Sequence, residues 1–195
     1  MTLPNKLTLA RLATAPVAFG CLWSRRPALL LAALILYLLA MLTDAVDGWI
    51  ARRTGQTSDF GALADPLADK VLVIGALVAF LRVPQIDVPD WAVFLIIARE
   101  LIVGTLRALA AVSGKVIKAG TAGKWSMLAQ SVCVLFLLAL LAAAANGIPV
   151  DTRLLGLSGH LVVLCLAASW GSGALYIYRA RALLRRSWEG PGERP

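Results

Sequence analysis

Histidine is nearly absent from this sequence and cysteine is scarce: one histidine, His160, and three cysteines occur in 195 residues. Cys21, Cys133 and Cys165 each lie inside an apolar run, with no CxxC or Cys/His spacing. They read as buried thiols, without a disulfide framework or a thiolate metal site. His160 opens an apolar stretch and reads as an interfacial residue rather than a ligand. Charge is scarce too. Asp, Glu, Lys and Arg make up 15% of the chain and hydrophobic residues 59%, against about 25% and 45–50% in soluble domains. These shortages exclude an ordinary soluble domain and indicate an integral membrane protein.

A membrane span takes about 20 apolar residues at ~1.5 Å each to cross ~30 Å of hydrocarbon. The chain length therefore allows six helices in one membrane domain, residues 1–195, with no separate soluble domain. The net charge of +8 needs no nucleic-acid partner, since anionic lipid headgroups and the positive-inside rule account for basic loops. The N-terminus reads as retained, because Arg11 interrupts its apolar run and no small-x-small cleavage site follows.

Met1–Lys6 reads as a short cap, with Pro4 and Asn5 in a turn. Helices are expected over Leu7–Trp23, Ala28–Arg53, Phe60–Leu81, Trp91–Val112, Trp125–Ala145 and Leu154–Tyr178, followed by a basic tail, Arg179–Pro195. Pro66 should kink the third helix near Asp65. An even number of spans puts Lys6, Arg11, Arg52, Arg53, Lys115, Lys118, Lys124, Arg179, Arg181, Arg185, Arg186 and Arg194 on one side. Only Arg25, Arg26, Arg82 and Arg153 fall on the other. This bias predicts cytoplasmic termini, with every charged helix segment in the cytoplasmic half. The Arg25–Arg26 pair is the exception to the pattern.

What the chain does have is a charged stretch between two apolar runs, DAVDGWIARRTGQTSDFGALADPLAD, from Asp44 to Asp69. An ionisable group at membrane depth costs roughly 2.5–3.5 kcal/mol on insertion scales, so repeated carboxylates there point to chemistry. Asp44 and Asp47 are three apart, and Gly61, Asp65 and Asp69 follow at intervals of four, so each set shares a helix face. Gly48, Ala51, Gly61 and Ala62 are small enough for the two helices to approach closely. Four converging carboxylates repel unless a hard divalent cation neutralises them, and all-oxygen ligation suits Mg²⁺, Mn²⁺ or Ca²⁺. Paired metals are a known arrangement for phosphoryl transfer. Arg52, one turn after Gly48, is placed to meet phosphate charge. Asp59 reads as an N-cap and Arg53 as a topology anchor.

This stretch is identified as the signature of the CDP-alcohol phosphotransferase family, D-x2-D-G-x2-A-R-x8-G-x3-D-x3-D. It matches at Asp44, Asp47, Gly48, Ala51, Arg52, Gly61, Asp65 and Asp69. The resemblance implies a six-helix, homodimeric membrane fold and transfer of a phosphatidyl group from CDP-diacylglycerol to an alcohol, with release of CMP. It implies two divalent ions, Mg²⁺ or Mn²⁺, on Asp44, Asp47, Asp65 and Asp69, with Asp69 as the base. Gly48, Arg52 and Ser58 would contact the cytidine diphosphate.

The N-terminal PNKLTLARLATAP and the segments IARELIVGTLRALAAVSG and AGKWSMLAQ resemble bacterial phosphatidylglycerophosphate synthases, and together these likenesses span most of residues 4–130. They imply a bacterial plasma membrane and place Asn5, Thr8 and Arg11 near the nucleotide. They also imply glycerol 3-phosphate as acceptor, with Arg99, Arg107, Lys118 and Lys124 near its phosphate. Ser126 and Met127 stand where those enzymes often continue with lysine and threonine. Inositol phosphate, serine or phosphatidylglycerol are alternative acceptors. A cation transporter is disfavoured, because the acids lie at one edge and no charges pair at midplane in inverted-repeat positions.

Overall fold

The computed structural model describes residues 3–54, 59–112 and 121–188. Among these residues the chain forms seven helices and no strand: α1 (Leu3–Ser24), α2 (Pro27–Thr54), α3 (Asp59–Phe80), α4 (Asp90–Val112), α5 (Thr121–Ala145), α6 (Thr152–Gly156) and α7 (Ser158–Trp188). All but α6 are 22 to 31 residues long. Around the bundle α1 packs on α2 and α3, α2 on α5, α5 on α7, and α7 on α4. Lighter contacts of α3 with α4 and α5 close the ring.

Among the described residues, segments Pro27–Asp44, Gly123–Ala145 and Thr152–Arg181 are long and apolar enough to cross a membrane. The other three long helices carry charge in their polar halves: Arg11 in α1, Asp65, Asp69 and Lys70 in α3, and Arg99, Glu100 and Arg107 in α4. The outward faces are nonetheless apolar: Phe94, Leu101 and Leu164 are each about two-thirds exposed. The inward faces carry small residues, among them Ala15, Ala18, Ala33, Ala40, Ala68, Ala76 and Ala92. In lipid, where apolar side chains gain little by leaving the solvent, close van der Waals packing between small residues holds such helices together.

Each inward stripe is apolar in one half and polar in the other. On α1 the buried residues Leu22, Ala18 and Ala15 lead to Arg11 and Thr8, at alternating helical spacings of three and four. On α4, Ala92 and Ile96 lead to Arg99; on α5, Leu137 and Val134 lead to Gln130 and Ser126. On α7, Val162 and Leu166 lead to Ser169 and Ser172. Because adjacent long helices alternate in direction, the polar halves meet at one end of the bundle.

The opposite end is held by loops. The Arg25 guanidinium donates to the Arg82 carbonyl at 3.0 Å, and Arg82 lies 4.0 Å from the Trp23 ring. Arg25 adopts φ 55, the left-handed turn that joins α1 to α2. These contacts give the otherwise exceptional Arg25 a structural role. Asn146 donates to the Pro27 carbonyl at 3.3 Å, and the Asp87 backbone N–H donates to Ser158 Oγ at 3.1 Å. Cys133 and Cys165, distant in sequence, face each other across α5 and α7 as an unbridged thiol pair.

Three element boundaries differ from expectation. Helix α1 begins at Leu3 instead of after Lys6, because Pro4 falls in the first turn, where its missing N–H leaves no bond unmade. The sixth helix is split: Asp151 caps α6, and Ser158 starts α7 by donating its hydroxyl to the Leu155 carbonyl. A serine that bonds back in this way competes with the helix ladder. Helix α7 then continues past Tyr178 to Trp188, since alanine, leucine and arginine favour helix. Residues 179–188 of the expected tail are therefore helical. Helix α3 passes Pro66 without a break.

A Cβ at Gly159 would overlap the Asp87 carbonyl oxygen. We expect Gly159→Ala to destabilise the protein by about 1–3 kcal/mol, the usual range for overpacking. Thermal unfolding in detergent should show a lower midpoint, and an unchanged midpoint would show that the loop yields freely.

Candidate active site

Arg11 is almost completely buried because it occupies the packing stripe of α1, one turn from Thr8. Its Nη1 lies 2.9 Å from Asp44 Oδ1 on α2 and 3.6 Å from Asp69 Oδ1 on α3. One guanidinium thus brings together two of the four signature carboxylates from different helices. Asp69 is largely enclosed and Asp44 is partly open. Thr14 donates to the Arg11 carbonyl at 2.9 Å.

A second polar network adjoins the first. Lys70, the residue after Asp69, donates to the Glu100 carbonyl at 3.1 Å and lies 3.5 Å from Glu100 Oε2. Glu100 Oε1 accepts from Arg99 Nη1. Arg99 also donates from Nε to the Ser169 carbonyl at 3.0 Å and from Nη2 to Ser172 Oγ at 2.7 Å. Gln130 Nε2 donates to Ser169 Oγ at 3.0 Å, so α5 joins the same network. Arg107 lies 5.8 Å from the ring of Tyr176, which is buried.

Two cavities open beside these networks. One, of about 300 Å³, lies between α2, α3 and α5 and is lined by Asp44, Asp69, Lys124, Met127 and Ser131 among others. The other, of about 70 Å³, lies between α3, α4 and α5 and is lined by Asp69, Lys70, Arg99, Glu100, Arg107 and Gln130 among others. Asp69, Val73 and Met127 line both. The light packing of α3 on α4 and α5 leaves this space.

Of the expected site residues, Thr8, Arg11, Asp44 and Asp69 fall on one side, and Arg99 and Arg107 line the smaller cavity. Lys124 lines the larger one, beside Asp44. Gly48, Asp47, Arg52 and Asp65 lie on α2 and α3 and Asn5 on α1, but their side chains are outside the described set. Ser58 and Lys118 are outside the described residues altogether. Among the described residues no group of three acidic, histidine or cysteine side chains gathers, since only Asp44 and Asp69 of the four aspartates have described side chains. Their donor chemistry fits a hard divalent ion: both offer carboxylate oxygens, and both already converge on one cationic group.

Lys70, Glu100, Ser169 and Ser172 had drawn no site assignment from sequence. A signal for the serines existed in their three-residue spacing within the apolar run of α7, and for the ion pair in its position inside spanning segments.

Residues 1–173 match the family profile of CDP-alcohol phosphatidyltransferase. The chain belongs to this family. The chain is 40% identical over 149 residues to the CDP-diacylglycerol–glycerol-3-phosphate 3-phosphatidyltransferase of Bacillus subtilis (strain 168), covering 70% of this chain and 76% of that one. It is 34% identical over 145 residues to the protein of the same name from Rickettsia bellii (strain RML369-C), covering 74% and 77%. A cardiolipin synthase (CMP-forming) of Oryza sativa subsp. japonica is 29% identical over 203 residues, covering 96% of this chain and 58% of that one. The phosphatidyltransferase family is membrane-bound and in general divalent-metal dependent.

Arg11→Met should remove the cation set between Asp44 and Asp69. A buried pair broken on one side costs 3–5 kcal/mol; with Asp44 partly open to solvent, we expect about 1–3 kcal/mol. In EDTA the unfolding midpoint of the variant should fall below wild type, and Mn²⁺ should raise it more in the variant than in wild type. Equal Mn²⁺ responses would argue against a shared cation position.

Proposed function

We propose that the protein transfers the phosphatidyl group of CDP-diacylglycerol to sn-glycerol 3-phosphate, giving phosphatidylglycerophosphate and CMP. The position of Asp69 carries this reading: it is a wall residue common to a cavity containing Asp44 and a cavity containing Arg99 and Arg107. A transfer between two substrates needs a base within reach of both, and a hydroxyl entering from the cationic side meets Asp69. The names of the Bacillus and Rickettsia relatives support the same acceptor.

In this mechanism the CDP-lipid occupies the Asp44 side, with Asn5, Thr8, Arg11, Gly48, Arg52 and Ser58 around its head and its acyl chains among the bilayer lipids. Glycerol 3-phosphate places its phosphate near Arg99 and Arg107, with Lys118 and Lys124 in the adjoining segment. Asp69 takes the proton of the primary hydroxyl, and the oxygen bonds to the diacylglycerol-linked phosphorus as the bond to CMP breaks. Asp44, Asp47, Asp65 and Asp69 would hold two divalent ions, Mg²⁺ or Mn²⁺, which supply neutralisation of the diphosphate charge. Arg52 adds positive charge beside the departing phosphate. The Lys/Arg bias supports a site facing the cytoplasm, the bacterial relatives support a bacterial plasma membrane, and the family resemblance implies a homodimer. Phosphatidylglycerol is the second acceptor reading, because the cardiolipin synthase relative aligns with nearly the whole chain.

The test is CMP release by the purified full chain from CDP-diacylglycerol with each acceptor. Glycerol 3-phosphate should support turnover, and EDTA should abolish it. Asp69→Asn should retain CDP-diacylglycerol binding and lose at least about 100-fold in rate, as expected for a lost general base. Near-normal turnover in that variant would remove Asp69 from the mechanism.

A further inference from the structure

Arg99 and Arg107 do not exhaust the cationic wall of the smaller cavity. Asp69 and Lys70 are consecutive on α3, so their side chains diverge by about 100° around the axis. Asp69 turns towards Arg11, and Lys70 turns towards α4. The Lys70 ammonium has three N–H donors. One donates to the Glu100 carbonyl and another faces the Glu100 carboxylate at 3.5 Å, a loose pairing; the third has no partner among the described residues. Lys70 lines the cavity beside Arg99 and Arg107.

Charge and space support the same assignment. Lys70, Arg99 and Arg107 carry three positive charges on this wall; Glu100, bonded to the first two, offsets one, and Asp69, on the same wall, pairs with Arg11. The wall that faces the acceptor is net positive. A phosphate monoester, with a second pKa of about 6, is close to a dianion at neutral pH. A phosphodiester carries a single negative charge, and serine has no net charge. Gly104 provides the room: a Cβ there would sit 3.0 Å from Lys70 Nζ, tighter than ordinary contact.

We infer that Lys70, oriented by Glu100 and admitted by Gly104, is a binding residue for the acceptor phosphate and selects a dianionic phosphomonoester over singly charged or neutral acceptors. The inference rests on the functional reading above. Arg99 is fixed by Ser169, Ser172 and Glu100 and cannot follow the ligand. Lys70, with a flexible stem and a loosely held ammonium, can turn from Glu100 to a phosphate oxygen when the acceptor enters.

The test uses the full chain in nanodiscs, with CMP release measured at varied glycerol 3-phosphate and varied CDP-diacylglycerol. Lys70→Met should raise KM for glycerol 3-phosphate about tenfold or more, as for a lost charged hydrogen bond, with KM for CDP-diacylglycerol unchanged. Lys70→Arg should recover part of the loss. Gly104→Ala alters no polar group and replaces a helix-interior glycine with a better helix former. It should raise the same KM several-fold by displacing the ammonium. An unmoved KM for glycerol 3-phosphate in Lys70→Met, or a parallel rise in both KM values, would overturn the inference. If wild type turns over with phosphatidylglycerol and not with glycerol 3-phosphate, the acceptor reading fails and Lys70 selectivity with it. Wild-type turnover with glycerol 3-phosphate and unchanged KM in both variants would confine the failure to Lys70.

Discussion

The contact on which the site depends is the Arg11 guanidinium set between Asp44 and Asp69. Carboxylates gathered inside an apolar bundle repel, and the low dielectric that strengthens an ion pair also penalises any charge left alone. Arg11 answers both demands, because it belongs to the packing stripe of α1 and so cannot retreat to water. The helix that carries it packs directly on the two helices that carry the acids. Packing of small residues and pairing of charges therefore reinforce each other along the same seam.

Around this contact the polar groups divide into two tiers that share α3. Asp69 belongs to the Arg11 side, and Lys70 belongs to a network running through Glu100 and Arg99 to Ser169 and Gln130. Every helix except the short α6 contributes to one tier or the other. Since consecutive residues diverge on a helix, a single step along α3 separates the acid of one cavity from the cation of the next. The loop contacts at the far end, Arg25 on Arg82 and Asp87 on Ser158, tie helices of different tiers together. They keep the polar halves level without entering the site.

The six long helices, the acidic pair of helices and the placement of charge at one end are legible in the sequence, because apolar runs and three- and four-residue spacings are local properties. The split at Ser158 and the extension of α7 past Tyr178 were not legible in the same way. The first depends on a serine hydroxyl engaged with the α3–α4 loop. The second reflects the helix propensity of alanine and leucine in a segment whose arginines suggested a tail. The role of Arg25 was hidden because its partner, the Arg82 carbonyl, is a backbone atom far along the chain.

The sequence by itself determined the membrane class, the signature carboxylates with their all-oxygen donor chemistry, and the set of cations available near them. It could do so because spacing on a helix fixes which residues share a face. Only the tertiary structure decided which faces meet. It set Arg11 against Asp44 and Asp69, committed most of the Arg99 donors to α7 and Glu100, and left Lys70 at the wall of a cavity. Those outcomes depend on the rotation and neighbour order of six helices, and pairings between residues as far apart as Arg99 and Ser172 leave no local trace in the chain.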